Sequence, residues 1–174
     1  SIHSKNHVHE LLRYADTAMY QGKDKGRDAI AFFNSTMAER VSKQLALEAD
    51  LHRALDEKQF ELFFQPKVDI HSGAIIGAEA LLRWKHPTKG MISPADFIPV
   101  LETSGLIVDV GHWVIEDSCK KLQQWIHQGI WKEGMCLSVN LSPRQFRRET
   151  FVDEVIDVLN TYNIPAGALD MEIT

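Results

Sequence analysis

Three stretches of this chain place oxygen-bearing side chains inside what otherwise reads as buried β-strand. In a strand the side chains at i, i+2 and i+4 share a face, so Glu79, Leu81 and Arg83 look one way and Ala78, Ala80 and Leu82 the other. Farther on, Leu137, Val139 and Leu141 face one side while Ser138, Asn140 and Ser142 face the other, and Glu172 lies opposite Met171 and Ile173. Burying such a group without a partner costs about 1–3 kcal/mol when it is neutral and more when it is charged. A divalent cation would offset that cost. Two carboxylates and an amide are hard oxygen ligands, suited to Mg²⁺ or Mn²⁺ rather than zinc, and in a barrel such donors converge at the C-terminal ends of the strands. The competing reading is structural: Glu79 pairs with Arg83 or a neighbouring lysine, Asn140 caps a turn, and Glu172 is a solvated carboxylate.

The elements that must hold these residues follow from periodicity. Leu11, Leu12, Ala15, Ala18 and Met19 predict a helix over Glu10–Lys23, ended by Gly22 and Gly26, and Ala29–Phe33 reads as a short buried strand. Asn34, Ser35 and Thr36 offer N-caps for a polar helix with Val41, Leu45, Leu51 and Leu55 at its apolar positions. A period of two from Phe60 to Ile70, turn chemistry at His71–Ala74 and a second run from Ile75 to Trp84 predict an antiparallel hairpin. Lys85–Met91 reads as a loop. Ser93 and Pro94 open a helix that ends before Gly105, and a longer helix is expected over Asp109–Gln128. Met135–Leu141 is a strand, Arg148–Tyr162 a helix with Phe151, Val152, Val155, Ile156 and Leu159 on one face, and Ala168–Thr174 a strand. Strand, helix, strand in that order is the mark of a parallel α/β sheet. The chain stops in or just after a strand, as a complete domain seldom does.

Composition narrows the classes. With 44% hydrophobic and 25% charged residues among 174, the chain is of ordinary globular type. Its net charge of −5 arises from 24 acidic and 19 basic residues scattered along it, so no field is expected to hold a long nucleic acid. Cys119 and Cys136 show neither CxxC nor metal-type spacing and read as core filler in a reducing cytosol. No apolar run approaches the roughly 18 residues of a membrane span, and any membrane anchor of a longer parent would lie outside this chain. The histidines form no HExxH and read as surface residues; Trp113, Trp125 and Trp131 read as packing.

Glu79-Ala80-Leu81-Leu82-Arg83-Trp84 resembles the motif that names the EAL family. Phe63–Lys67 before it, then Ser93–Pro99, Ser138–Phe146 and Met171–Thr174, follow in the family's order, so the resemblance runs from about Leu47 to the end. It implies an α/β fold of the modified TIM-barrel type, here its first strands and helices over residues 48–174, and hydrolysis of cyclic di-GMP to linear pGpG with Mg²⁺ or Mn²⁺. Carried over by motif, Glu79, Asn140 and Glu172 are the expected metal ligands, with Glu79 also counted as catalytic. Gln65, Leu81 and Arg83 are the expected contacts to the dinucleotide. A paired aspartate, a lysine, a later glutamate and a later glutamine complete the family's site and would follow Thr174. A whole barrel takes about 250 residues, so this polypeptide alone is expected to be inactive and weakly stable.

Leu11–Tyr20 and Lys23-Asp24-Lys25-Gly26-Arg27 resemble the C-terminal end of GGDEF domains, which make cyclic di-GMP from GTP. That resemblance implies a domain tail over residues 1–34, a linker helix over 35–47, and phosphate contacts from Lys23 and Arg27, for which the alternative is a solvated basic helix end. GTP at the cyclase-type domain of a longer parent, self-association of that parent as a homodimer and a cytoplasmic setting complete the implied picture. The competing functions are a degenerate EAL module that binds cyclic di-GMP as a receptor, and a purely structural signalling linker.

Overall fold

The computed structural model describes residues 35–173. The helix expected over Glu10–Lys23, the strand over Ala29–Phe33, and Lys23 and Arg27 with them, lie outside the described residues. The chain divides between Ala49 and Asp50 into two units, and the second, Asp50–Thr174, carries the sheet.

Helix α1 runs unbroken from Ser35 to Asp56. Leu51 and Ala54 from its last turns are buried in the second unit, and Lys58, at φ 55°, turns the chain out of the helix. Strand β1 (Phe60–Val68) then pairs antiparallel with β2 (Ile75–His86) from Phe60↔Trp84 to Pro66↔Ala78, with an irregularity at Lys67/Val68. The turn between them is built as its residues dictate. The Asp69 carboxylate accepts from the backbone N–H groups of His71 and Ser72 and from the Ser72 hydroxyl, and Gly73 takes the left-handed φ of 70°.

The expected loop at Lys85–Met91 is instead a tight hairpin. β2 continues to His86, and β3 (Gly90–Ile92) folds back on Trp84–His86. The cause is His86, whose Nδ1 accepts from the backbone N–H groups of both Thr88 and Lys89. That makes Nε2 the protonated nitrogen, and it donates to Asp50 Oδ2 at 3.2 Å. His86 is therefore a buried structural residue, only 9% exposed, and not the surface histidine that its composition class suggests.

Helix α2 (Pro94–Ser104) starts at Ser93 with Pro94 in its first turn and ends at Gly105, φ 87°. Helix α3 (Ile107–His127) leads to β4 (Cys136–Leu141), the one-turn α4 (Pro143–Phe146), α5 (Phe151–Thr161) and β5 (Leu169–Ile173). The result is a mixed α/β fold with a five-stranded sheet ordered β1-β2-β4-β5 and β3 on β2. β4 is parallel to both β2 and β5. Gly77 is needed at the β2–β4 junction, because a Cβ there would overlap the backbone carbonyl of Cys136.

One face of the sheet, with Phe60, Ala80, Trp84, Leu137, Val139 and Leu141, forms the core together with Phe97, Leu101, Val110, Leu122 and Val155 of the helices. Trp84 is fully buried edge-on to Phe97, and its indole N–H donates to Gln59 Oε1 at 3.0 Å. Trp125 and Trp131 stack on each other beside Phe64, as packing residues do. On α5 the buried stripe is Phe151, Val155 and Val158, the i, i+4, i+7 set, while Val152 and Ile156 of the neighbouring stripe are 57% and 47% exposed. Among the described residues no single helix is long and apolar enough to cross a membrane.

Candidate functional site

The opposite face of the sheet collects the polar side chains, and the strand register fixes which are neighbours. Gln65 is the cross-strand partner of Glu79, and Glu79 that of Ser138. Asn140 is the partner of Glu172, and Ser138 that of Asp170. Phe63 pairs with Leu81, and Glu61 with Arg83.

These neighbours make contact. Asn140 Nδ2 donates to Glu79 Oε1 at 2.7 Å, so the carboxylate that the structural alternative paired with Arg83 or a lysine is held by the amide instead. Lys67 Nζ donates to Ser138 Oγ at 2.6 Å and to Glu172 Oε1 at 2.8 Å. The ammonium, and after it the Ser138 hydroxyl, hold the Glu172 carboxyl below the usual carboxylate range. The same hydrogen bond raises Lys67 above the usual lysine value. Both side chains are about two-fifths exposed, at 39% for Lys67 and 43% for Glu172, so solvent screens much of the attraction.

Arg83 stands apart from the carboxylates. One guanidinium nitrogen donates to the Leu82 carbonyl at 2.9 Å, and the group lies over the Phe63 ring, 5.5 Å from its centre. The rest of its donor fork makes no hydrogen bond among the described residues. Gln65 is exposed beside Glu79, and Leu81 is half-buried next to Phe63. β2 and β4 pair only as far as Ala80↔Val139 and then part, although both strands continue. Arg83 and Asn140 stand on either side of that opening.

Glu79, Asn140 and Glu172 bring to this face the hard oxygen donors that a divalent cation takes. Glu79 and Asn140 touch, Glu172 is on the adjoining strand, and this face already draws an ammonium to its carboxylates. Among the described residues no group of three or more His, Cys, Asp or Glu side chains could hold a metal, so the set here is two carboxylates and an amide. Lys67 is the member that sequence reasoning left without a role. Alternation puts it on the same face as Gln65, but its bond to a residue 105 positions away depends on the order of the strands.

Residues 48–174 match the model of the EAL domain family. The chain is 42% identical over 166 residues to MucR of Pseudomonas aeruginosa, a bifunctional diguanylate cyclase/cyclic di-GMP phosphodiesterase, covering 95% of this chain and 24% of that one. It is 38% identical over 164 residues to PdeR of Escherichia coli, a cyclic di-GMP phosphodiesterase, covering 94% of this chain and again 24% of the relative. Among solved structures, the MucR phosphodiesterase in complex with cyclic di-GMP superposes with a TM-score of 0.69 at 39% identity, over 72% of this chain and 50% of that one. An EAL enzyme with cAMP and cyclic di-GMP bound gives 0.73 at 29% identity, over 95% of this chain and 43% of that one. The chain thus spans about a quarter of the length of these curated relatives. With its motif residues in order and gathered on one face of the sheet, the chain belongs to the EAL domain family.

Proposed function

We propose that this chain supplies one side of the active site of a cyclic di-GMP phosphodiesterase, a modified TIM barrel of which the sheet β1-β2-β4-β5 is the opening arc. The observation that carries the reading is the assembly of Glu79, Asn140 and Glu172 on one face, with Arg83 farther along the same face. Relatives described as cyclic di-GMP phosphodiesterases support it.

In this reading Glu79, Asn140 and Glu172 hold Mg²⁺ or Mn²⁺, which supplies an activated water and neutralises charge on the phosphodiester. Asn140 keeps the Glu79 carboxylate turned inward. Arg83 takes a phosphate on its fork of donors, with Phe63 fixing its plane, and Gln65 and Leu81 border the dinucleotide. Hydrolysis adds one water across one P–O ester bond and leaves linear pGpG.

Residues 1–34 belong, in the same reading, to a GGDEF-type domain that takes GTP, with Lys23 and Arg27 on its phosphates. The alignment with MucR over 95% of the chain, which extends well before residue 48, supports that assignment. A cytoplasmic location and a homodimeric parent complete it.

The test is release of pGpG from cyclic di-GMP by the full-length protein in Mg²⁺ or Mn²⁺. Glu79→Ala is expected to lower the rate by roughly 100-fold or more with the fold retained. Tight binding of cyclic di-GMP without pGpG release by the wild type would replace this reading with that of a receptor.

A further inference from the structure

Next to the rung of the sheet formed by Asn140 and Glu172 lies a second, formed by Ser138 and Asp170. Asp170 and Glu172 are two residues apart on β5, so their side chains share the polar face, spaced roughly 7 Å along the strand. Lys67 reaches this face from β1 and touches both rungs: its ammonium donates to Ser138 Oγ at 2.6 Å and to Glu172 Oε1 at 2.8 Å. An ammonium has three N–H donors, and the third makes no hydrogen bond among the described residues. Asp170 is exposed and enters no ion pair among the described residues. Glu172 is the chief cause of the raised Lys67 value, and Glu79 and Asp170 add to it by charge alone.

Lys67 and a divalent cation compete for the Glu172 carboxylate, and the two positive charges repel each other at close range. An ammonium that gives up Glu172 needs another counter-charge, the more so inside the closed barrel proposed above, where an unpaired charge is costly. Asp170 offers one. It lies across from the same Ser138 that Lys67 already holds. The ammonium can therefore keep one bond and move only the other, by a change of rotamer in its flexible four-carbon stem. Asp170 has no part in the metal site described above, so its charge is at the disposal of the lysine.

We propose that Lys67 is a positioning residue with two stations, Glu172 when the site is free of metal and Asp170 when Glu172 serves a divalent cation, with Ser138 as the pivot. The inference rests on the reading of Glu172 as a metal ligand. In the first station the ammonium keeps the Glu172 carboxylate on the polar face before any metal is bound. In the second it neutralises Asp170 one rung away instead of opposing the cation. Asp170 thereby sets how readily Glu172 is released, although it is itself no ligand.

The test is a double-mutant cycle on metal affinity. A lysine that stays in one place interacts with Asp170 equally with and without metal, and that interaction cancels from the affinity; only a lysine that moves couples the two residues. Mn²⁺ dissociation constants are read by electron paramagnetic resonance of the free ion on the full-length protein, for the wild type, Lys67→Met, Asp170→Asn and the double variant. Glu172→Gln marks which bound Mn²⁺ belongs to this site, and thermal melts check each fold. Asp170→Asn is expected to weaken Mn²⁺ binding about 2- to 5-fold more when Lys67 is present than in the Lys67→Met background. Equal losses in the two backgrounds would mean that Asp170 acts on the metal by its charge alone, and the inference fails while the metal reading stands. If Glu172→Gln leaves Mn²⁺ binding unchanged, Glu172 is no ligand and the metal reading fails with it. Should Lys67→Met or Asp170→Asn not fold, Lys67→Gln or Asp170→Ser completes the same cycle.

Discussion

Lys67 Nζ lies 2.8 Å from Glu172 Oε1 although two strands, β2 and β4, separate theirs. Three inter-strand spacings amount to about 14 Å along a flat sheet. The contact therefore requires the sheet to curl around its polar face, which gathers that face into a concave surface. Gly77, the cross-strand neighbour of Lys67, adds no side chain to obstruct the reach.

This pair has a pH signature with two limbs. Glu172 is depressed below its ordinary 4.5, so its contribution to stability is present above that value and is lost as pH falls through the folded value. Lys67 is raised above 10.5, so its contribution is present below that value and is lost as pH rises through the folded one. Denaturant midpoints of the wild type and Lys67→Met should differ by a constant amount at intermediate pH and converge at both extremes.

The ammonium at Glu172 also stands where a divalent cation would find a ligand. Lys67→Met is expected to tighten Mn²⁺ binding a few-fold, because the metal no longer displaces an ion pair. Electron paramagnetic resonance titration of free Mn²⁺ reads this without reference to turnover. Unchanged or weaker binding would show that the lysine does not compete.

Asp50 serves as the acceptor for a buried imidazole. Asp50→Ala leaves the His86 Nε2–H without its partner and is expected to cost about 1–3 kcal/mol, whereas Asp50→Asn keeps a carbonyl acceptor at the oxygen that His86 and Lys89 share and loses mainly the exposed bond from Arg53 to the other oxygen. Urea unfolding should thus separate the two variants clearly, and nitrogen NMR of His86 should show the Nε2–H tautomer in the wild type.

Gly77→Ala drives a methyl group into the Cys136 carbonyl, a backbone atom that cannot swing away. A loss of about 1–3 kcal/mol or more is expected, seen as a lower urea midpoint together with faster amide exchange across β2 and β4.

Burial pushes the Cys119 thiol up to about 11, and burial also raises Cys136. Neither thiol should react readily with iodoacetamide at pH 8 in the folded protein, Cys119 being the slower, and both should label after denaturation.

Much of this arrangement could be read from one-dimensional pattern. The Phe60–Val68/Ile75–His86 hairpin, the Ser93–Gly105 helix and the parallel pairing of β4 with β5 follow from alternation, caps and element order. Glu79, Asn140 and Glu172 emerge as polar residues in strands that are apolar on the other face. What the pattern hid was long-range or atomic. The hairpin at Lys85–Ile92 depends on one imidazole nitrogen accepting two backbone amides. Phe151 and Val155 of the face expected on α5 are buried, but Val158 is buried in place of Val152 and Ile156, which are just as hydrophobic. Glu79 found Asn140 rather than Arg83 because strand order, which no local period encodes, put β4 beside β2.

β1 runs against β2, so its first residues, Phe60 and Glu61, lie opposite Trp84 and Arg83. A strand parallel to β2 would have received the chain at the other end of the sheet, about 30 Å away for nine residues. With the first strand reversed, the last two turns of α1, held through Asp50 and His86, lead to the Arg83 end of β2. The end of α1 and the Arg83 guanidinium are thus held at one edge of the sheet.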